Sequence, residues 1–163
     1  MKYEELVKSD AIKGYFGKSY EKWGPELQAL INKKSIHGSE IEDAQAEKKL
    51  MQTIKFSWLG LLFTFYWAAY HNTKGWLMMV SAFSALNVLD MFVLGEIIPN
   101  AVFTVVPSVM FAMYGKSFIL AAKASEMSKT GALARPSWSR VVQAVAIFGA
   151  PILIGILLMD PMF

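Results

Sequence analysis

The sequence predicts an all-α, polytopic membrane fold, and three observations carry that prediction. The first is four apolar stretches in the last two thirds of the chain, nearly free of charge. Counted between flanking charges, residues 56–73 give 18, 97–115 give 19 and 141–159 give 19, while 75–95 give 21 with one acid, Asp90, inside. A hydrocarbon core of ~30 Å takes ~20 helical residues to cross. The second is that the apolarity is continuous rather than alternating, which selects helices over the strands of a barrel. The third is the sorting of charge. Of the 16 Lys and Arg, ten lie in residues 1–55, one is Lys74 and five lie in 116–140.

That sorting sets the expected orientation. Residues 116–140 carry Lys116, Lys123, Lys129, Arg135 and Arg140 against Glu126 alone, a basic loop of the kind that stays on the cytoplasmic side. With four full crossings and an inside N-terminus, that loop and Lys74 would both lie outside. If residues 56–73 instead enter and return, or lie in the interface, every Lys and Arg is cytoplasmic. The outer side then holds only Glu96 and Asp160. The charges therefore favour three spanning helices plus an aromatic re-entrant or interfacial helix, with four spanning helices as the alternative.

The composition of the first stretch agrees. Seven of the fifteen residues from Phe56 to Tyr70 are aromatic, and Trp and Tyr favour the headgroup level. Trp58, Tyr66, Trp67, Tyr70, Lys74 and Trp76 are the expected membrane-interface residues. His71, beside Lys74, is expected among the headgroups.

The expected division is a charged helical cytoplasmic segment, 1–55, and a membrane domain, 56–163. The first segment holds ten Lys against nine acids, and from Lys2 onward it lacks the apolar run of a secretion signal. Gly14, Gly17 and Gly24-Pro25 are expected to break it into short pieces. Pro25 suits the first turn of a helix to about Lys34, with Leu27, Leu30 and Ile31 on one face. Ser35–Gly38 should end that helix. Ser39-x-x-Glu42 has the form of a capping box opening a charged helix to about Lys55. Tyr15, Phe16, Tyr20 and Trp23 place four aromatics in nine residues. They pack together or under the membrane domain, or they form a docking patch for another protein, since so short a segment has little core of its own.

Phe56-Ser57-Trp58, Phe63-Thr64-Phe65-Tyr66-Trp67 and Tyr70 resemble the Phe/Trp-rich first membrane segment of a family of small bacterial inner-membrane proteins of unknown function. Tyr15-Phe16-Gly17-Lys18-Ser19 is similar to that family's Phe-Ile-Gly-Lys-Asn element upstream. Tyr70-His71-Asn72-Thr73-Lys74-Gly75-Trp76 stands where it has a Tyr-Arg-Lys-Met-Trp-like cluster. The Arg-Lys pair is reduced here to Lys74, and a charged insert over about 39–53 separates the two motifs. The resemblance implies a bacterial inner-membrane location and supplies no chemistry.

Asp90 is the acid within a presumed span, where charge costs ~2.5–3.5 kcal/mol at mid-bilayer. Counted from Gly75 it lies ~22 Å up a ~30 Å core, with Asn87 one turn below. Polar glue joining Asn87 and Asp90 to a neighbouring helix or chain is the leading expectation; contact with outer water and ion handling are the alternatives. Enzyme signatures are missing from the sequence. Cysteine is absent, and the two histidines, His37 and His71, flank the first stretch with no zinc-type spacing or phosphate-cradling loop nearby. No catalytic residue, metal or cofactor is expected. The expected role is a non-enzymatic accessory or scaffolding subunit in contact with membrane lipids and with other membrane-protein subunits or itself, and not with nucleic acid. A small oligomeric transporter or channel component and a toxin-immunity protein are the rivals.

Overall fold

The computed structural model describes residues 1–33, 36, 38–95 and 97–159, so His37, Glu96 and Asp160 lie outside the described residues. The described chain is helical, with one isolated antiparallel bridge, Lys2 to Glu40. Its N-terminal part is a cluster of short helices: α1 (Tyr3–Lys8), α2 (Asp10–Phe16), α3 (Tyr20–Lys33) and α4 (Ala44–Met51). Then come α5 (Trp58–Tyr70), α6 (Trp76–Leu89, extended by a wider π-type turn over Asp90–Leu94), α7 (Asn100–Thr130) and α8 (Trp138–Met159).

Local signals place several ends differently from the sequence expectation. Gly14 lies within α2 and Gly24 within α3. Pro25 also sits inside α3 rather than at its first turn. Pro cannot donate to the carbonyl four residues back, that of Glu21, and both residues are exposed. The charged helix is shorter than expected. It is capped by Asp43, whose carboxylate accepts from the Gln45 amide at 2.8 Å, and not by Ser39. The Ser39 backbone is engaged elsewhere, its carbonyl accepting from the Tyr3 amide.

A larger correction concerns residues 116–140. They are not one basic loop. The helix α7 runs 31 residues to Thr130, about 46 Å at 1.5 Å per residue. Lys116 and Lys123 lie on its buried side.

The N-terminal helices close a core of Tyr3, Leu6, Ile12, Leu27, Leu30 and Leu50, completed by Ile119, Leu120, Ala121 and Ala124 of α7 and by Trp67 of α5. The second core lies among α5, α6, α7 and α8, where Phe65 meets Phe83, Phe111 and Phe148. The lower part of α7 is thus shared, its C-terminal third roofed by the N-terminal helices.

Two helices among the described residues, Trp76–Leu94 and Ala101–Thr130, are long and apolar enough to cross a membrane, with mean hydropathies of 1.9 and 1.5. The first is only 17% buried within the chain. A soluble protein's core helix would be covered, so this helix is an apolar surface needing apolar surroundings. Trp58, Leu62, Met78, Val93, Ile97, Val105 and Val142 are exposed in the same way.

Candidate functional site at the junction of the two halves

Between Thr53 and Lys74 the chain makes a reversal against α7. The Ser117 hydroxyl donates to the Thr53 carbonyl at 2.6 Å, and the amides of Lys55 and Ser57 donate to the carbonyls of Met113 and Ala112 at 2.9 and 2.8 Å. Each helix carbonyl keeps a second lone pair, so it can take such a bond without releasing its own turn. The Ser57 hydroxyl then caps α5 by accepting from Gly60. Gly60 lies so close to the Phe111 carbonyl that a Cβ there would overlap it. Four residues on, Thr64 meets Ser108, hydroxyl to hydroxyl, at 2.7 Å.

There the direction changes. Thr64 has φ 41° and ψ −113°, so α5 is two helical pieces joined at a non-helical residue. Past it, Trp67 lies on Gly115, and Asn72 reaches Glu126. The partners on α7 therefore run from 117 down to 108 and back up to 115 and 126. The returning piece also rises along α8: Phe65 packs on Phe148, ten residues into that helix, while the Tyr70 carbonyl accepts from Ser137 just before it begins.

Where the chain returns, it meets the N-terminal helices. His71 sits among the rings of Tyr15, Phe16, Trp23, Trp67 and Tyr70. The Tyr15 hydroxyl lies 3.0 Å from His71 Nδ1 and 3.1 Å from its carbonyl. With the hydroxyl proton given to the carbonyl, Nδ1–H is the donor to the phenol oxygen. Burial, with the Lys123 ammonium as the second cause, pushes the imidazole down to about 4. His71 is therefore neutral in the fold, its ring enclosed by the protein's own aromatic side chains.

Beside it, the fully buried Lys123 donates to both Glu126 oxygens at 3.1 and 3.0 Å and lies 4.4 Å above the Tyr15 ring. Glu126 also accepts from Asn72 Nδ2 at 2.6 Å and from the Ala134 amide at 3.1 Å. Asn72, held at φ 50°, a conformation Asn tolerates better than most residues, accepts in turn from the Trp76 indole at 3.0 Å. Further polar links hold the N-terminal helices to the rest: Glu26 to Lys116 at 2.6 Å, Glu47 to Lys74, and Ser128 to Glu42 at 2.8 Å.

The residues singled out by sequence divide accordingly. Tyr15 and Phe16 are buried, Tyr20 and Trp23 half-buried, and all four pack inward. The Phe16 and Trp23 rings stack at 4.7 Å. They lie against Trp67 of α5 and the α7 residues of that core, and the four rings share no common outward face. Trp58 and Tyr66 are exposed, Tyr70 is half-buried against Trp138, and Lys74 is exposed in its pair with Glu47. Trp67 and Trp76 are buried instead. Asp90 is also buried, but it accepts from the Ile98 amide at 2.9 Å and so closes its own turn rather than joining two helices. Asn87 is half-buried one turn below it. Among the described residues Ser84 joins α6 to α8, its hydroxyl donating to the Ile147 carbonyl at 2.8 Å.

Sequence reasoning missed Asn72, Lys123 and Glu126. Glu126 had a signal: it is the lone acid among the basic residues of 116–140, three residues after Lys123.

No protein-family model, curated protein or solved structure matches this chain.

Proposed function

We propose that this chain is an integral protein of the bacterial inner membrane with its N-terminus in the cytoplasm, crossing three times through α6, α7 and α8. In this reading α5 is a re-entrant element that turns back at Thr64. One observation carries it: the N-terminal helices touch both flanks of the segment in question. Lys33 of α3 donates to the Ile54 carbonyl on one side, and Tyr15 and Glu47 hold His71 and Lys74 on the other, while Glu26 and Glu42 hold Lys116 and Ser128 of α7. A folded polar unit lies on one side of a bilayer, so all of these residues share that side. The depth is consistent. From Leu120 to Ser108 along α7 is about 18 Å and from Leu120 to Asn100 about 30 Å. The tip would then stand beyond mid-bilayer and the N-terminal end of α7 at the far surface.

The function this supports is that of a non-enzymatic accessory or scaffolding subunit that binds other membrane proteins. Three polar side chains at that depth are taken up within the chain, Thr64 by Ser108, Ser84 by Ile147 and Asp90 by Ile98. What stays open is the outward face of α6, where Met78, Ser81, Ala82, Ala85, Leu86 and Leu89 are exposed together. Small residues let helix backbones approach closely in lipid, and an edge helix so little covered is where a second helix would seat. Purification of the full chain in mild detergent tests this. A stoichiometric partner that is lost on Ala85→Trp supports the accessory role. A pure homo-oligomer favours a transporter or channel component, and a monomer unaffected by Ala85→Trp contradicts both.

A further inference from the structure

The pair Glu47–Lys74 stands at the mouth of a cleft of about 330 Å³ between α4 and α7, lined by Ala44, Glu47, Lys48, Met51, Gln52, Lys74 and Phe118. Its lining is amphipathic. Met51 and Phe118 make the apolar floor, while Lys48, Gln52 and Lys74 stand at the rim, exposed. Its level is also defined. Lys74 is two residues before the apolar helix Trp76–Leu94, and its amide faces the Phe118 carbonyl at 3.4 Å. On the membrane reading above, on which this inference rests, the cleft opens at the cytoplasmic headgroup layer.

We propose that this cleft is a binding site for one anionic phospholipid. The phosphate lies between the Lys48 and Lys74 ammonium groups, and the first carbons of an acyl chain lie on Met51 and Phe118. An ammonium has three N–H donors, and the Glu47 carboxylate takes one from Lys74. That contact holds the head of Lys74 at the rim with donors left for a phosphate. The lone cationic charge not balanced inside the cleft is Lys48, so a single negative headgroup completes the charge. A free phosphate would satisfy the rim and leave the apolar floor wet; a neutral lipid would cover the floor and leave Lys48 unmatched. A lipid with a net negative headgroup answers both. Such a lipid would also lie against α4 and the start of α6, joining the N-terminal helices to the bilayer beside the Glu47–Lys74 pair.

The test uses the full chain, purified in mild detergent, stripped of lipid and titrated with phosphatidylglycerol, phosphatidylethanolamine or inorganic phosphate. Bound lipid is counted by native mass spectrometry. The expected result is one retained phosphatidylglycerol, preferred over phosphatidylethanolamine and weakened about five-fold for each lysine neutralised in Lys48→Gln and Lys74→Gln, given ~1 kcal/mol per basic residue near an anionic surface. Lys48 is exposed, so Lys48→Gln keeps the fold and reads the site alone. Equal retention of the two lipids, unchanged retention in Lys48→Gln, or inorganic phosphate retained as well as phosphatidylglycerol would each overturn the proposal. Whether the chain stays in membranes washed with alkaline carbonate is scored separately. Extraction there sinks the membrane reading, whereas loss of lipid preference with the chain still embedded sinks only the site.

Discussion

Thr64 and Ser108 share a hydrogen bond of 2.7 Å at the point where α5 reverses. Of the two non-glycine residues with positive φ among the described residues, Thr64 and Asn72, Thr64 has the costlier backbone, since a β-branched side chain at φ 41° is crowded by its own main chain. The bond to Ser108 offsets that crowding, and Pro107 beside it has no amide to give the Phe103 carbonyl.

Two variants separate the terms. Ser108→Ala should cost about 0.6–2 kcal/mol, the range for a polar contact between membrane helices. Thr64→Gly loses the same bond but relieves the backbone, so it should cost less than Ser108→Ala. Thermal unfolding in detergent reads both, and a larger loss for Thr64→Gly would show that the backbone at Thr64 is not strained.

The close approach of α5 to α7 makes its own forecast. At Gly60 a methyl group would meet the Phe111 backbone, which cannot yield; at Gly115 it would meet the Trp67 ring, which can. Gly60→Ala should therefore destabilise by about 1–3 kcal/mol. Gly115→Ala should be rescued in part by Trp67→Leu, while Gly60→Ala should not. A double-mutant cycle on the unfolding midpoint checks this, and additive losses at Gly115 and Trp67 would contradict it.

Lys123 and Glu126 depend on each other. Removing one partner of a buried pair leaves an uncompensated charge, at a cost of about 3–5 kcal/mol. Glu126→Leu should approach that loss, since it also strips Asn72 and the Ala134 amide of their acceptor. The double variant Lys123→Met with Glu126→Leu should recover much of it. Failure to recover would place the importance of Glu126 in its contacts to Asn72 and Ala134 instead.

The His71 cage predicts a pH dependence. Its imidazole drops from 6.5 to about 4 on folding, chiefly through burial. Between those values the unfolded chain binds the extra proton and the fold does not, so stability is full above 6.5 and is lost as pH falls toward 4. Emission from Trp23 and Trp67, which flank His71, should report loosening in that window. His71→Gln keeps a hydrogen-bonding side chain for Tyr15 and should flatten the response. An unchanged acid transition in that variant would assign it to other groups.

Much of this architecture was legible in the sequence, and the misses share a cause. Apolar length marked α6 and α7, the two described helices long and apolar enough to cross a membrane. Lys116 and Lys123 misled, because a count of charges assumes solvated lysines; burial against Glu26 and Glu126 depends on helices that lie far apart in the chain. Trp67 and Trp76 misled in the same way. A tryptophan's preference for the interface yields when a glycine such as Gly115, or an acceptor such as Asn72, makes a place for it inside. Asp90 looked like glue between helices because its acceptor role was plain and its donor, the Ile98 amide across a turn, was not.

The re-entrant path of α5 is the central claim, and the position of Gln52 relative to Arg135 tests it most directly. Both are exposed, and the chain has no cysteine to interfere. With α5 turning back, two crossings separate the two residues; with four full spans, three do. Single-cysteine variants Gln52→Cys and Arg135→Cys can be labelled with a membrane-impermeant maleimide in spheroplasts and in inverted vesicles, with Ile97→Cys as the opposite-side control. The account predicts that Gln52→Cys and Arg135→Cys react in inverted vesicles and Ile97→Cys in spheroplasts. Labelling of Gln52→Cys and Arg135→Cys from opposite sides would contradict it.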